Sequence, residues 1–351
     1  MRILLGNNSL SLLAGTETWT LTLALQLKDM GHHVVCFSPS LGVISDKLQQ
    51  AGISSFSDLA ASHAAPFSIL LTQEVKHEYD VIIANHHHIV GALRERFPGT
   101  PIISTIHGII HKDDLGNLAP EHPALESGVN QFVAVSEEVQ DLLRGEYGID
   151  STIVRNFFDV PRLSSLTPPS PGKPKRFLVN TNYSSRDDSI ITSIREAAKR
   201  LDAQVIAIGE NFSLSNDVTL AIKESDVVFG MGRSVLEGVA AGRLGIVAGR
   251  WGLAGPITET TYQELRKWNF SGRNNVYADT DHVEEIVKMV EEFYNPAVLD
   301  WGKKYVAREH NVVLAAEEYV RMANDLTGAS INVARPSAIH PDAQPLKRNY
   351  E

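Results

Sequence analysis

The stretch Phe229-Gly-Met-Gly-Arg-Ser-Val-Leu-Glu237-Gly-Val-Ala-Ala-Gly-Arg243 carries the residue types best suited to chemistry in this chain. Gly230 and Gly232 stand where a strand should end. A run of small and apolar residues with one carboxylate, Glu237, then opens a helix. Backbone N–H groups at such a helix N-terminus can approach a phosphate, and a carboxylate about one turn further in can hold a sugar hydroxyl. The layout suits a nucleotide or nucleotide sugar. Glu237 is a poor core residue without a polar partner, although it could simply cap a neighbouring loop.

Other segments add polar groups at strand ends. Ala14-Gly15-Thr16-Glu17-Thr18 opens a long helix and either faces an anion or serves as a plain cap. Ser104-Thr-Ile-His107-Gly108 follows a strand, where a histidine can act as acid, base or hydrogen-bond partner, or can be a buried core histidine. In Asn180-Thr-Asn182-Tyr-Ser-Ser-Arg186, the arginine can fork onto a diphosphate or stay solvated beside Asp187 and Asp188. Ile208-Gly209-Glu210 lies just upstream of the glycine pair. Arg155-Asn156-Phe-Phe-Asp159 reads as turn hydrogen bonding. His86-His87-His88 is not expected to bind metal, because adjacent side chains on an extended segment point to opposite sides. Asp113-Asp114 offers too few oxygens for a cation. No metal and no cofactor is expected.

These groups need a frame. Apolar runs at Arg2–Leu5, His33–Phe37, Val81–Ala84, Ile102–Thr105 and Gln131–Val135 read as strands. Thr16–Gly31 reads as a helix, and Ser136 caps another. Four prolines within 168–174 read as a stiff inter-domain linker. The alternation restarts with strands at Arg176–Asn180, Gln204–Ile208, Val227–Phe229 and Gly245–Ala248. Helices are expected at Ser189–Leu201, Val235–Ala241, His282–Tyr294 and Val298–Leu326. The fold class is therefore α/β, two Rossmann-like doubly wound domains facing a cleft. The expected division is an acceptor-side domain at 1–167, a nucleotide-sugar domain at 175–297, a helical segment at 298–326 packing back across both, and a disordered tail at 327–351.

Bulk properties narrow the partners. The chain has 351 residues and a net charge of −10. Residues 1–160 hold 9 Lys and Arg against 18 Asp and Glu, which disfavours nucleic acid and anionic lipid. No apolar run approaches the ~20 residues of a membrane span, and no signal peptide is apparent. One cysteine, Cys36, permits no intrachain disulfide and suits a reducing cytoplasm. No inference about oligomeric state follows.

Taken in order over roughly residues 1–325, these segments resemble the retaining GT-B glycosyltransferases, especially the family-4-like group. Gly15-Thr16-Glu17 is similar to that family's glycine-rich opening loop. Thr105-Ile-His107-Gly108 is similar to its threonine-x-histidine-glycine segment, whose histidine lies near the transferred sugar. Val133–Ser136 and Arg155–Asp159 resemble further landmarks, and Ile208-Gly209-Glu210 a turn near the nucleotide base. Glu237 corresponds to the second glutamate of the glutamate-x7-glutamate segment, which holds ribose. Gly230 and Gly232 fall on its glycines, and Arg233, Ser234 and Val235 on residues whose backbone faces the donor. The resemblance implies metal-independent, retaining transfer from a nucleotide-diphosphate sugar to a glycan, lipid-linked or small-molecule acceptor, as in polysaccharide biosynthesis. His107, Arg186 and Glu237 would be its catalytic residues.

Two positions depart from the pattern. Phe229 replaces the first glutamate, and Asn182 is neutral near a usual arginine. The first departure leaves room for an unusual donor sugar or for a non-catalytic nucleotide-sugar sensor. An epimerase on the same scaffold would need further acid/base carboxylates. An oxidoreductase is disfavoured because no G-x-G-x-x-G follows the first strand.

Overall fold

The structure is a computed structural model that describes residues 1–57, 78–109, 128–169, 172–182, 188–209, 212, 218–274 and 276–328. Arg186, Glu210, Asp113 and Asp114, and nearly all of the tail expected at 327–351, lie outside these residues.

Among the described residues, seven strands form the first sheet: β1 (Arg2–Gly6), β2 (His33–Phe37), β3 (Ser54–Phe56), β4 (Val81–Asn85), β5 (Ile102–Ile106), β6 (Gln131–Ala134) and β7 (Ser151–Ile153). They run in the order β3-β2-β1-β4-β5-β6-β7, all parallel. β4 and β5 are buried along their whole length, as a parallel sheet covered on both faces requires. The helices here are α1 (Gly15–Asp29), α2 (Val43–Gln50), α3 (His87–Arg96) and α4 (Glu137–Tyr147). Ser136 caps α4 by accepting from the Val139 amide, and Gly148 ends it in the left-handed conformation.

A short helix, α5 (Val160–Ser164), precedes the second sheet of β8 (Arg176–Asn180), β9 (Gln204–Ile208), β10 (Val227–Gly230), β11 (Leu244–Gly249) and β12 (Gly252–Pro256). Its order is β12-β11-β10-β8-β9, parallel except for the antiparallel β11–β12 pair. Around it lie α6 (Ser189–Arg200), α7 (Val218–Lys223), α8 (Arg233–Ala240), α9 (Tyr262–Lys267), α10 (His282–Phe293) and α11 (Pro296–Glu309), and α12 (Val312–Thr327) closes the described chain.

The chain changes core between adjacent residues. Phe157 packs in the core of the first sheet and Phe158 in that of the second. The passage therefore lies ahead of the proline-rich 168–174, because Leu163 of α5 already packs in the second core. The return takes five residues. Ala307 belongs to the second core and Val312 to the first. The helix expected over Val298–Leu326 is broken there: α11 ends at Glu309, and the Asn311 side chain caps α12 by accepting from the Val313 amide at 3.0 Å. α12 then completes the first lobe, with Tyr319 edge-on to Trp19 of α1 and its hydroxyl 2.8 Å from Thr105 Oγ1.

Phe229 also differs from its expected place. It is fully buried among the apolar residues on one face of the second sheet, with its ring centroid 5.3 Å from that of Phe177. Its side chain lies in that core and not on the surface of the Gly230–Gly232 turn. Phe229→Glu would bury an unpaired carboxylate and should cost ~3–5 kcal/mol of stability. Phe229→Leu should cost about 1 kcal/mol. Urea denaturation of the two variants checks this, and a glutamate variant as stable as wild type would contradict the placement.

Candidate active site

Backbone geometry explains the glycines. Gly209 follows β9 at φ +135°, and a Cβ there would lie 1.8 Å from the Thr181 carbonyl oxygen. A Cβ on Gly230 would come within 2.8 Å of the Asn180 carbonyl oxygen. The carboxyl ends of β8, β9 and β10 are thus held in close contact. Gly232, at φ +55°, precedes α8, and its amide donates to the Phe270 carbonyl at 2.8 Å. The first-turn amides of Arg233, Ser234 and Val235 follow at the positive end of α8. The Val235 side chain is fully buried in the core, so only its backbone can meet a ligand. Asn182 lies half-buried beyond β8, and Asn182 Oδ1 lies against the Gly209 turn.

Arg233 joins the two lobes. Its Nη1 donates to the Gly15 carbonyl at 3.1 Å and to Thr18 Oγ1 at 2.9 Å, both in the first turn of α1. Its Nη2 donates to Glu237 Oε1 at 3.1 Å. The N-termini of α1 and α8, on opposite lobes, are therefore one side chain apart. Thr16 bonds its neighbour Glu17 at 3.1 Å, and burial raises the Glu17 carboxyl above its ordinary value.

His107 stands at the end of β5. Its ring is edge-on to Trp19 at 5.2 Å, and its Nε2 donates to Asn85 Oδ1 at 3.0 Å. Burial, and then the charges of His86 and Arg233, push it down to about 3, so the imidazole is neutral with Nδ1 left as an acceptor. Asn85, fully buried at the end of β4, was not singled out from sequence. Its signal is an amide closing the apolar run Val-Ile-Ile-Ala. His86, also beside this site, takes a positive φ of 66° before α3, and His88 Nε2 lies 2.9 Å from Asn8 Oδ1. Among the described residues no group of three His, Cys, Asp or Glu could hold a metal.

Other bonds fix the lobes around the site. Glu137 and Glu138 open α4, where carboxylates suit the helix dipole. Glu137 Oε1 accepts from Arg155 at 2.6 Å and from Arg266 at 3.1 Å, and Glu138 is forked by Arg273. Asn156, expected only as a turn residue, donates to Asn269 Oδ1 at 2.8 Å. Its carbonyl accepts from His310 Nδ1, whose Nε2 takes the Tyr262 hydroxyl at 2.9 Å. Burial pushes His310 down to about 4. Arg243, at the end of the glycine-rich stretch, is buried away from the site, where it binds the carbonyls of Ile222, Lys223, Ser225 and Ala241.

The chain is similar in fold to several known proteins. Residues 13–162 match the family model described as Glycosyltransferase Family 4. A glycosyltransferase from Rickettsia africae ESF-5 superposes with a TM-score of 0.61 at 16% identity, over 93% of this chain and 99% of that one. Alr3699/HepE of Anabaena, in complex with UDP and glucose, gives 0.62 at 16% identity over 93% and 100%. Sucrose-phosphate synthase from Thermosynechococcus elongatus gives 0.58 at 13% identity over 94% and 100%. At these identities the likeness establishes the fold, that of the GT-B glycosyltransferases. No curated protein matches the chain in sequence.

The imidazoles of His107 and His310 set a pH dependence. Each titrates below its ordinary value in the folded chain, so on acidification the unfolded chain takes up protons first. Stability should be full above about 6.5 and fall as pH drops toward 4. His310→Gln should be less stable at neutral pH yet show a shallower decline, read by urea denaturation at several pH values. An unchanged slope would contradict the burial of a neutral imidazole. Asn85→Asp should raise the His107 pKa, seen as a histidine NMR resonance that titrates at higher pH than in wild type.

Proposed function

We propose that this chain transfers a sugar from a nucleoside diphosphate sugar, with uridine diphosphate as the leaving group, to a glycan, lipid-linked or small-molecule acceptor. The observation that carries the proposal is the meeting of two helix N-termini from opposite lobes at Arg233, with a neutral histidine and a helix carboxylate beside them. Positive helix ends attract a pyrophosphate from both sides. The bound UDP and glucose of Alr3699/HepE, a protein of the same fold, support the ligand class.

Breaking the bond between the anomeric carbon and the diphosphate places negative charge on the leaving phosphate, and the sugar becomes oxocarbenium-like. Stabilising the departing charge is the main demand on the protein. In this reading the amides of Arg233, Ser234 and Val235, the loops at Gly15–Thr16 and Gly230–Gly232, and Arg186 supply that stabilisation without a divalent ion. Gly209, Glu210 and Asn182 border the nucleotide. Glu237 holds the ribose hydroxyls, and the His107 Nδ1 accepts from a hydroxyl of the donor sugar. The acceptor lies against the first lobe near residues 8–16 and 85–109. The sugar is a hexose or deoxyhexose transferred with retention, and the product belongs to polysaccharide biosynthesis.

We also place the protein in the cytoplasm. Its one cysteine is buried, with a thiol pushed up to about 12 by burial, and suits a reducing compartment. Among the described residues no helix is long and apolar enough to cross a membrane.

A thermal-shift series with uridine, guanosine, adenosine and thymidine diphosphates should show the largest rise in Tm with uridine diphosphate. His107→Ala and Arg186→Ala should lower transfer about 100-fold or more with the fold retained. Chelation by EDTA should leave the rate unchanged. Wild-type turnover in both variants, or no response to any diphosphate, would overturn the reading.

A further inference from the structure

The geometry points to the Arg233 side chain, and not only its amide, as a direct ligand of the donor's pyrophosphate. Glu237 is then its counter-ion when no donor is bound. This rests on the nucleotide-sugar reading of the site and adds to it a residue and a charge exchange.

A guanidinium has five N–H groups in a fixed fork. The bonds to Gly15, Thr18 and Glu237 engage three of them. Nε–H is buried and has no hydrogen-bond partner among the described residues. A buried donor without an acceptor is costly. The side chain is only 12% exposed, and its partner Glu237 is 20% exposed. A tie between the lobes would need only the Nη1 bonds. The unpaired Nε–H and the Nη2 held by Glu237 together form a second edge, and that edge fits a pair of phosphate oxygens.

The exchange keeps charge balanced. Without donor, Arg233 and Glu237 neutralise each other four residues apart on α8. A pyrophosphate arriving between the helix ends supplies a stronger anion for the guanidinium. The released Glu237 carboxylate is then available for neutral ribose hydroxyls. Arg233 thus reads the phosphates and Glu237 reads the sugar of the nucleoside.

Isothermal titration of the full chain with uridine diphosphate and with uridine separates the two roles. Arg233→Gln should weaken uridine diphosphate about tenfold or more relative to uridine, the loss expected for a charge-assisted pair. Arg233→Lys should recover part of that ratio. Glu237→Gln should weaken uridine through the lost ribose contact and weaken uridine diphosphate less, because the counter-ion that competes for Arg233 is gone, so the ratio should rise. A merely lobe-bridging Arg233 would change Tm and leave the ratio of the two affinities at the wild-type value, which would overturn the assignment. If wild type binds uridine diphosphate no better than uridine, the nucleotide-sugar reading fails, and the arginine assignment fails with it.

Discussion

The two passages of the chain between its cores are hydrogen-bonded to each other, and the rest of the architecture depends on this pairing. The Phe158 amide donates to the His310 carbonyl at 3.0 Å, and the Val312 amide donates to the Phe158 carbonyl at 3.3 Å. Both cores thus anchor to one pair of short extended segments, with Phe157 and Phe158 inserted into opposite sides. His310 completes the joint as a neutral imidazole whose nitrogens are bound by Asn156 and Tyr262. Protonation would leave Nε2 as a second donor facing the Tyr262 hydroxyl, in a place with little solvent to absorb the charge. The joint therefore favours the uncharged ring.

With the passages fixed, the helices that follow strand ends in each lobe face each other. α1 follows β1, α4 follows β6, and α8 follows β10. The α1 and α8 N-termini meet at Arg233, and the carboxylates that open α4 meet Arg266 and Arg273. One contact brings positive helix ends together around a guanidinium. The other pairs acids with bases. The first region offers helix N-terminal amides beside a balanced Arg233–Glu237 pair, and in the second the carboxylates are taken up by Arg155, Arg266 and Arg273. That difference separates the part of the lobe interface suited to an anion from the part that holds the lobes in register. The strained Asn269–Phe270 turn links the two, since both residues have positive φ and Phe270 receives the Gly232 amide. Asn156 grips the same turn from the passage segment, so the Gly230–Gly232 loop and the joint share one hydrogen-bonded support.

Much of this was readable from residue order. Continuous apolar runs separated by amphipathic stretches identify parallel strands, and the positive φ at Gly209 and Gly232 accords with glycines singled out beforehand. What escaped the reading has physical causes. β3 and β7 have three residues each, too few for a period to show. The proline-rich 168–174 has linker composition, but a passage between cores can be made by two adjacent phenylalanines with no compositional mark. Asn311 is a recognisable cap, yet apolar periodicity on both sides hid the helix break. Phe229 matched a motif position but points into the opposite face of the sheet, a matter of strand orientation that spacing alone does not give. The roles of Arg233 and Asn85 depend on partners more than 200 and about 20 residues away, respectively.

In the proposed reading the pyrophosphate of a nucleotide sugar sits between the first turns of α1 and α8. The most direct measurement is a crystal structure of the protein with a non-hydrolysable uridine diphosphate sugar. Phosphate density should bridge Gly15 and Gly232, with ribose at Glu237. A pyrophosphate bound elsewhere, or held there by a divalent cation in place of amides and guanidinium, would contradict that reading.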